Sequence, residues 1–407
     1  MVRVGVVGGG PAGLCAAKNA LKEGHTVQIW EQCCSIGGTW VYNEETGTHS
    51  SMYEVMKTNL PKETMAFPGH PFPHHLPSFI THQQVLQYIT EYGEHIDVQL
   101  KTCVLRVERN GERWMVEVEK EGEKRQTEVD VLFVCNGHYS HPNRPFDEKR
   151  FTKGSIVHSH DYRSNKGYRD RKVAVVGAGP SGIDIALQVA EVAQKVFLIG
   201  RFIDAYQGTP ENLEQVGIRV KDLAADGVEL VDGNLVACDD VIITTGYFYS
   251  FPFLPPESGI VIEDAGRVVG GLFMQLVSRK FPTSLFLVGL PFVVVPFVLF
   301  QAQVTYALAL VDGTATPPSP AEMEEWDLKK RGDMSSRHLP TKYYHMLGDE
   351  QWPYFEELYW RAHSTAPAYS PVVRKLFDYT ALQRKENIAT YKDINFAVDG
   401  DEFSVVE

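Results

Sequence analysis

Two glycine-spaced runs carry the chemistry to be expected of this chain. The first is Val4-Gly5-Val6-Val7-Gly8-Gly9-Gly10-Pro11-Ala12-Gly13, followed by the alanine-rich Leu14-Cys15-Ala16-Ala17-Lys18-Asn19-Ala20-Leu21. The apolar β-branched start reads as a buried parallel strand, and the segment after Gly13 as a helix. Gly8 permits a tight turn, Gly10 lets backbone approach a pyrophosphate, and Gly13 lets helix pack on strand. A pyrophosphate then sits at the helix N-terminus, where unpaired N–H groups and the helix dipole favour anions. The next strand, Thr26-Val27-Gln28-Ile29-Trp30, ends at Glu31, eighteen residues after Gly13. A carboxylate at that distance can bind a ribose hydroxyl pair.

The second run repeats the device: Lys172-Val173-Ala174-Val175-Val176-Gly177-Ala178-Gly179-Pro180-Ser181-Gly182-Ile183-Asp184, then the strand Lys195-Val196-Phe197-Leu198-Ile199. Here Gly200, with Arg201 beside it, holds the acid's position. Loss of a carboxylate and gain of a guanidinium suit a 2′-phosphate, which Arg can bind in a fork. The second cradle is therefore expected to prefer NADPH over NADH; otherwise Arg201 is simply a solvated side chain at a strand end. Two dinucleotide folds of different preference imply an electron relay, with FAD resident in the first and NADPH visiting the second. Ile36-Gly37-Gly38-Thr39-Trp40 continues the first site. Val131-Leu132-Phe133-Val134-Cys135-Asn136-Gly137 and Val241-Ile242-Ile243-Thr244-Thr245-Gly246-Tyr247 are apolar strands ending in small polar residues and glycine, as expected where the chain crosses between domains.

The elements that must position these runs belong to a chain of 407 residues, roughly two domains at about 150 residues each. A composition that is 43% hydrophobic and 22% charged belongs to a folded chain with a filled core. The net charge of −13 repels phosphate backbones, and without a basic patch it argues against a nucleic-acid partner. Six cysteines with no C-x-x-C pair argue against a disulfide framework and against zinc. No leader precedes the first strand, so the expectation is a soluble, cytoplasmic protein, or a secreted one if a leader has been removed. The uncharged stretch from Phe281 to Val311 is long enough to span a bilayer. Gly289, Pro291, Pro296, Gln301 and Gln303 interrupt it, and the expectation is a buried strand, a turn and a helix.

With these residues assembled, the chain resembles the class B flavin-dependent monooxygenases, more the flavin-containing monooxygenases than the Baeyer–Villiger enzymes. The likeness runs from about residue 2 to about residue 330. It rests on the paired glycine runs, Gly37-Gly38-Thr39-Trp40, Met56-Lys57-Thr58-Asn59-Leu60-Pro61-Lys62-Glu63 and Gly154-Ser155-Ile156-Val157-His158-Ser159-His160-Asp161-Tyr162. The last matches the F-x-G-x-x-x-H-x-x-x-Y pattern from glycine to tyrosine, with Phe151 one residue early and Thr152 in its slot. Tyr162 ends the motif without the Trp-Pro or Trp-Asp of ester-forming relatives. The compact length, Ser50-Ser51-Met52-Tyr53 and Met65-Ala66-Phe67-Pro68 look most like the insect branch, which includes pyrrolizidine-alkaloid N-oxygenases.

The resemblance implies that NADPH reduces the flavin and that O2 then forms a hydroperoxide on its C4a carbon. A tertiary amine or sulfide, the small-molecule partner, attacks the distal oxygen and leaves as N-oxide or S-oxide. No metal, base or nucleophilic side chain is needed, only fixed donors and exclusion of water. Asn59 is the implied catalytic donor; on its residues alone, an Asn before Leu-Pro is more simply a turn. The implied FAD contacts are Gly8, Gly10, Pro11, Ala12, Gly13, Glu31, Gln32, Gly38, Thr39, Trp40, Thr58, Asn59, Val104, Asn136 and Gln301. Those for NADPH are Gly177, Gly179, Pro180, Ser181, Gly182, Arg201, Thr245 and Gly246. Gln301 would lie on a helix, Pro296 onward, aimed at the flavin, or else be a plain helix surface residue.

The implied architecture is α/β, with two Rossmann-like domains. An NADPH domain (161–279) is inserted in a discontinuous FAD domain (1–160 and 280–407, the latter with C-terminal helices). Ser319-Pro320-Ala321-Glu322 reads as a helix start with a reciprocal cap, and Glu322 to Asp327 as a solvated helix face. His70, His74, His75 and His82 lie about a proline-rich loop and lack metal-ligand spacing. Cys33-Cys34 has no second pair to receive electrons. The alternative function is an NADPH-dependent flavoprotein reductase or oxidase that never oxygenates a substrate. The oligomeric state stays open, a homo-oligomer included.

Overall fold

The computed structural model describes residues 1–47, 49–200 and 206–406. The β-branched runs flanking the glycines pair side by side, because strands joined through helices run parallel and bury both faces. Five of them (Leu285–Leu287, Val131–Val134, Arg3–Val7, Thr26–Trp30 and Val98–Gln99) form the parallel part of a seven-stranded sheet. The short strands Leu272–Phe273 and Val277–Ser278 extend its other edge in antiparallel fashion. A second sheet, wholly parallel, has the order Leu213–Val216, Lys195–Ile199, Lys172–Val176, Asp240–Ile243, Ile156–His158. Its strands lie in sequence between the contributors to the first sheet. One dinucleotide fold is thus inserted in the other, as expected.

The two-residue period of a strand divides each sheet's side chains between two cores. Val131 and Phe133 face the helices Pro11–Lys22 and Pro296–Val311, whereas Leu132 and Val134 face an antiparallel meander, Thr102–Asn110, Arg113–Lys120 and Glu123–Val129. In the second unit Val173 and Val175 meet the helix Pro180–Ala190. Ala174 and Val176 meet a smaller meander, Val220–Ala224, Gly227–Leu230 and Leu235–Ala237. The chain then runs through helices Pro320–Ser336, Gln351–Arg361 and Pro371–Glu386 to a hairpin, Asn395–Asp399 with Glu402–Val406. Val372, Leu376, Ile388, Tyr391 and Phe396 of this last part join the core of the helix Pro180–Ala190.

The uncharged run is divided as expected, into the strand Leu285–Leu287 and the helix Pro296–Val311. Among the described residues no helix is long and apolar enough to cross a membrane. At the next helix the Ser319 hydroxyl accepts from the Glu322 N–H at 3.2 Å. Glu322's carboxylate goes to Arg361 at 2.8 Å instead of back to the cap. Glu324 pairs with Arg279, and Asp327 with Arg331. That helix face is exposed at Glu324 and Glu325, as expected, and Glu322 and Glu324 also pair with neighbouring elements.

Candidate functional site

The first cradle closes because three glycines remove three carbon atoms. Gly8 has φ +107, and a Cβ there would lie 2.5 Å from the Cys135 carbonyl oxygen. A Cβ on Gly13 would lie 1.9 Å from the Gly8 oxygen. Gly38, at φ +57, lies against Gly10, its would-be Cβ 3.1 Å from the Gly10 Cα. With strand, helix and second loop so close, Leu14 is the first N–H to bond back along the helix, to the Gly10 carbonyl at 3.0 Å. The N–H groups of Ala12 and Gly13, after a proline with none to offer, have no partner inside the helix. Glu31 is buried, and its two oxygens accept the N–H groups of Gly9 and Cys33, both at 2.7 Å. A carboxylate has about four acceptor sites, so two remain for hydroxyl donors. Unpaired helix N–H groups, a turn that any Cβ would fill and a fixed carboxylate fit an FAD. Burial, with Glu31 adding, pushes the Cys33 thiol up to about 12, so it is protonated and no nucleophile at neutral pH.

The second cradle repeats the strand, turn and helix contacts without the carboxylate. Gly177 has φ +121, with a would-be Cβ 2.5 Å from the Thr244 oxygen; that of Gly182 would lie 1.9 Å from the Gly177 oxygen. Ile183 bonds back to Gly179 at 3.0 Å, leaving the N–H groups of Ser181 and Gly182 without helical partners. These residues fit a second dinucleotide. Thr245 and Gly246 follow the strand, and Asn143 fastens both. Its N–H donates to the Gly246 carbonyl at 2.8 Å, while the Thr245 hydroxyl donates to the Asn143 carbonyl at 2.5 Å. Arg201 lies outside the described residues.

Against the second cradle's helix lies a small pocket lined by Asn59, Pro180, Ile183, Asp184, Leu187, Arg384 and Tyr391. Asn59 is half-buried, and its Oδ1 accepts the Tyr391 hydroxyl at 3.3 Å. The amide's donor end is then the one left to the pocket. Asp184, on the second cradle's helix, accepts from Lys392 at 2.6 Å on one oxygen. Its other oxygen takes Gln188 at 3.0 Å and the Tyr53 hydroxyl. Burial and this carboxylate hold Tyr53 well above the usual phenol range. Lys392 also donates to the Lys57 carbonyl at 3.0 Å. The C-terminal residues thus clamp the Asn59 segment to the second cradle.

The remaining expected residues are spread more widely. Thr39 meets Ser51 at 3.2 Å, and Trp40 packs beside them against the first core. Gln32 is exposed and bonds His49 at 3.0 Å. Thr58 is buried, its hydroxyl accepting the Ile80 N–H at 3.2 Å. Val104 is in the meander's first strand, whose start abuts Glu31 through the Thr102 N–H at 2.8 Å. Asn136 donates to the Ser250 carbonyl at 3.1 Å. Gln301 pairs its amide with that of Asn19, at 3.0 and 3.1 Å, within the contact between two helices. In the Gly154–Tyr162 motif a Cβ on Gly154 would lie 2.0 Å from the Asp239 oxygen, and Tyr162 is buried against Gln188. Burial, with Arg144 adding, pushes His158 down to about 4, so its ring is neutral. Tyr53 stood only within a run of family likeness, while Tyr391 and Lys392 carried no signal in the sequence. Asp184 carried a weak one, as a lone acid on an otherwise apolar helix.

Residues 1–204 match a family model described as FMO-like, flavin-binding monooxygenase-like. The flavin-containing monooxygenase FMO GS-OX-like 7 of Arabidopsis thaliana is 30% identical over 96% of this chain and 90% of its own length. The solved structure of S-allyl-L-cysteine S-oxygenase from Allium sativum superposes with a TM-score of 0.88 at 30% identity, covering 96% of this chain and 95% of that one. Tmm from Pelagibacter sp. superposes with a TM-score of 0.85 at 25% identity, over 100% of this chain and 96% of that one.

Proposed function

The chain belongs to the flavin-containing monooxygenase family, NADPH-dependent flavoenzymes, and from that premise we propose that it oxygenates the nucleophilic sulfur or nitrogen of a small molecule. FAD, when bound, supplies O2 activation with the electrons of NADPH. The chain's own residues hold and exclude. The N–H groups of Ala12 and Gly13 take the FAD pyrophosphate, and Glu31 takes ribose hydroxyls. Those of Ser181 and Gly182 take the pyrophosphate of NADPH, with Arg201 as the candidate for its 2′-phosphate. Asn59, its oxygen engaged by Tyr391, turns its N–H2 toward the reacting oxygen as a fixed donor. A sulfide sulfur or tertiary amine nitrogen brings its own lone pair, so no side chain need remove a proton.

The observation that carries this reading is the pair of unlike cradles, one ending in Glu31 and one in Gly200, with the Asn59 pocket against the helix of the second. Similarity over nearly the whole chain to an S-oxygenase supports sulfur as the first substrate class to try. Tertiary amines, plant alkaloids among them, come second, on the insect-type sequence features alone. The domain division that goes with it is 1–160 with 280–407 for FAD and 161–279 for NADPH, although the strand Ile156–His158 joins the second sheet and Leu272–Phe273 and Val277–Ser278 join the first. The test is NADPH consumption by the flavin-loaded protein across sulfides, simple amines and alkaloids, with mass analysis of each product. Gain of one oxygen atom per NADPH consumed is expected for at least one class. NADPH turnover yielding only H2O2 with every compound would replace the proposal with the reductase or oxidase alternative.

A further inference from the structure

The cradles share three glycines and the proline at the helix start, but at one facing pair the side chain has changed sides. In the first, Gly9 faces Glu31. A Cβ on Gly9 would lie 3.1 Å from the Glu31 Cβ, and the bare Gly9 N–H reaches the carboxylate at 2.7 Å. In the second, Ala178 holds the position of Gly9, and Gly200 that of Glu31. A Cβ on Gly200 would lie 2.6 Å from the Ala178 Cβ and 3.1 Å from the Ala178 nitrogen. Non-bonded carbons settle at about 3.5–4.0 Å, so position 200 has no room for any side chain while Ala178 is present. Nor can the turn readily open. Gly177 N–H is bonded to the Ile199 carbonyl at 2.8 Å, and Gly200 N–H to the Val216 carbonyl at 3.0 Å, on either side of it.

We propose that Ala178 is a coenzyme-specificity residue, its methyl keeping position 200 bare so that no carboxylate can stand at the ribose end of the second cradle. The inference rests on the reading that this cradle takes NADPH. A carboxylate there would hold the free ribose hydroxyls of NADH and repel the 2′-phosphate of NADPH, and like charges in contact are strongly unfavourable. Selection against NADH is therefore built into a backbone-to-methyl contact, independently of any arginine. Ala178 touches neither reacting atom.

The experiment uses the flavin-loaded protein and reads binding and stability rather than turnover. NADP+ and NAD+ affinities come from calorimetry, and Tm from thermal unfolding. Gly200→Glu alone is expected to lower Tm and weaken both coenzymes. Adding Ala178→Gly should restore Tm and move the ratio of the two Kd values toward NAD+ by on the order of 100-fold. Gly200→Ala, which adds bulk without charge, should lower Tm, recover with Ala178→Gly, and leave the ratio within about threefold of the parent. Ala178 is not the gate if Gly200→Glu alone is as stable as the double variant, or if the double variant is no more stable than the single. A double variant that recovers Tm with the parent's ratio overturns the role of position 200. A parent protein that binds NAD+ as tightly as NADP+ overturns the NADPH reading beneath the proposal, and the proposal with it.

Discussion

The glycine cradles and the C-terminal segment are built by opposite routes. Each cradle rests on one strand, turn and helix whose closeness to one another and to the neighbouring strand end (Cys135 in the first, Thr244 in the second) depends on side chains that are absent. The segment after residue 371 arrives from the far end and works through side chains that are present. Tyr391 bonds Asn59 across 332 residues of sequence, and Lys392 bonds Asp184 across 208. Phe396 N–H meets the Ser78 hydroxyl at 2.9 Å, and Ile388 N–H meets the Gln207 carbonyl at 3.1 Å. The glycine turns are thus largely a local property of the chain. The orientation of Asn59 is not.

The largest effect should come from filling a cradle. In Gly13→Val and Gly182→Val the new Cβ meets a carbonyl oxygen of the preceding turn at 1.9 Å, a collision only backbone movement can relieve. Gly13→Val should lose its flavin on gel filtration and be inactive. Gly182→Val should stay yellow while anaerobic reduction of its flavin by NADPH slows by far more than tenfold, because its helix start no longer presents the N–H groups. Loss of flavin from Gly182→Val as well would break the comparison, since the two cradles would then not be separate local devices.

This difference also explains what could be read in advance. Glycine spacing between an apolar strand and a helix is a repeated steric requirement, so both cradles, Glu31 and the exchanged Gly200 were legible. So was the split of the uncharged run into strand and helix, because prolines break the hydrogen-bond ladder. The two meanders were not, although Trp114 and Val118 alternate with polar neighbours; short alternating runs name no partner. Gln301 was expected either toward the flavin or as a plain helix surface residue; its amide pairs with Asn19, a contact set by helix packing rather than by local sequence. Thr58 likewise spends its hydroxyl on the Ile80 N–H. Tyr391 and Lys392 sit in a short turn with no periodicity, where only the fold reveals what they touch.

A middle-sized effect should come from cutting the clamp. The Asp184 and Lys392 side chains are 10% and 14% exposed, so Lys392→Met strands a carboxylate that water scarcely reaches. Removing one partner of such a pair should cost about 3 kcal/mol in urea unfolding. Asp184→Asn in the same chain should recover part of that, since no charge is then left unpaired. If Lys392→Met unfolds at the parent's urea concentration, the C-terminal segment is not holding the second cradle's helix.

The smallest effect tests the finest part of the comparison, whether the distant segment orients the Asn59 donor beside the second cradle. Tyr391→Phe keeps the ring and its buried packing and removes only the hydroxyl that donates to Asn59 at 3.3 Å. A single neutral hydrogen bond is worth about 1 kcal/mol net, so the variant should fold and bind both dinucleotides normally. The freed Asn59 amide can then rotate, and when its oxygen faces the pocket the donor is lost. The fraction of NADPH oxidised to H2O2 instead of product should rise about two- to fivefold, on the order that such an energy allows. Asn59→Ala should raise it further. A leaking Asn59→Ala beside a fully coupled Tyr391→Phe would leave Tyr391 as packing alone. Full coupling in both would remove Asn59 from the chemistry, leaving the cradles as the only part of this centre that the chain's own residues determine.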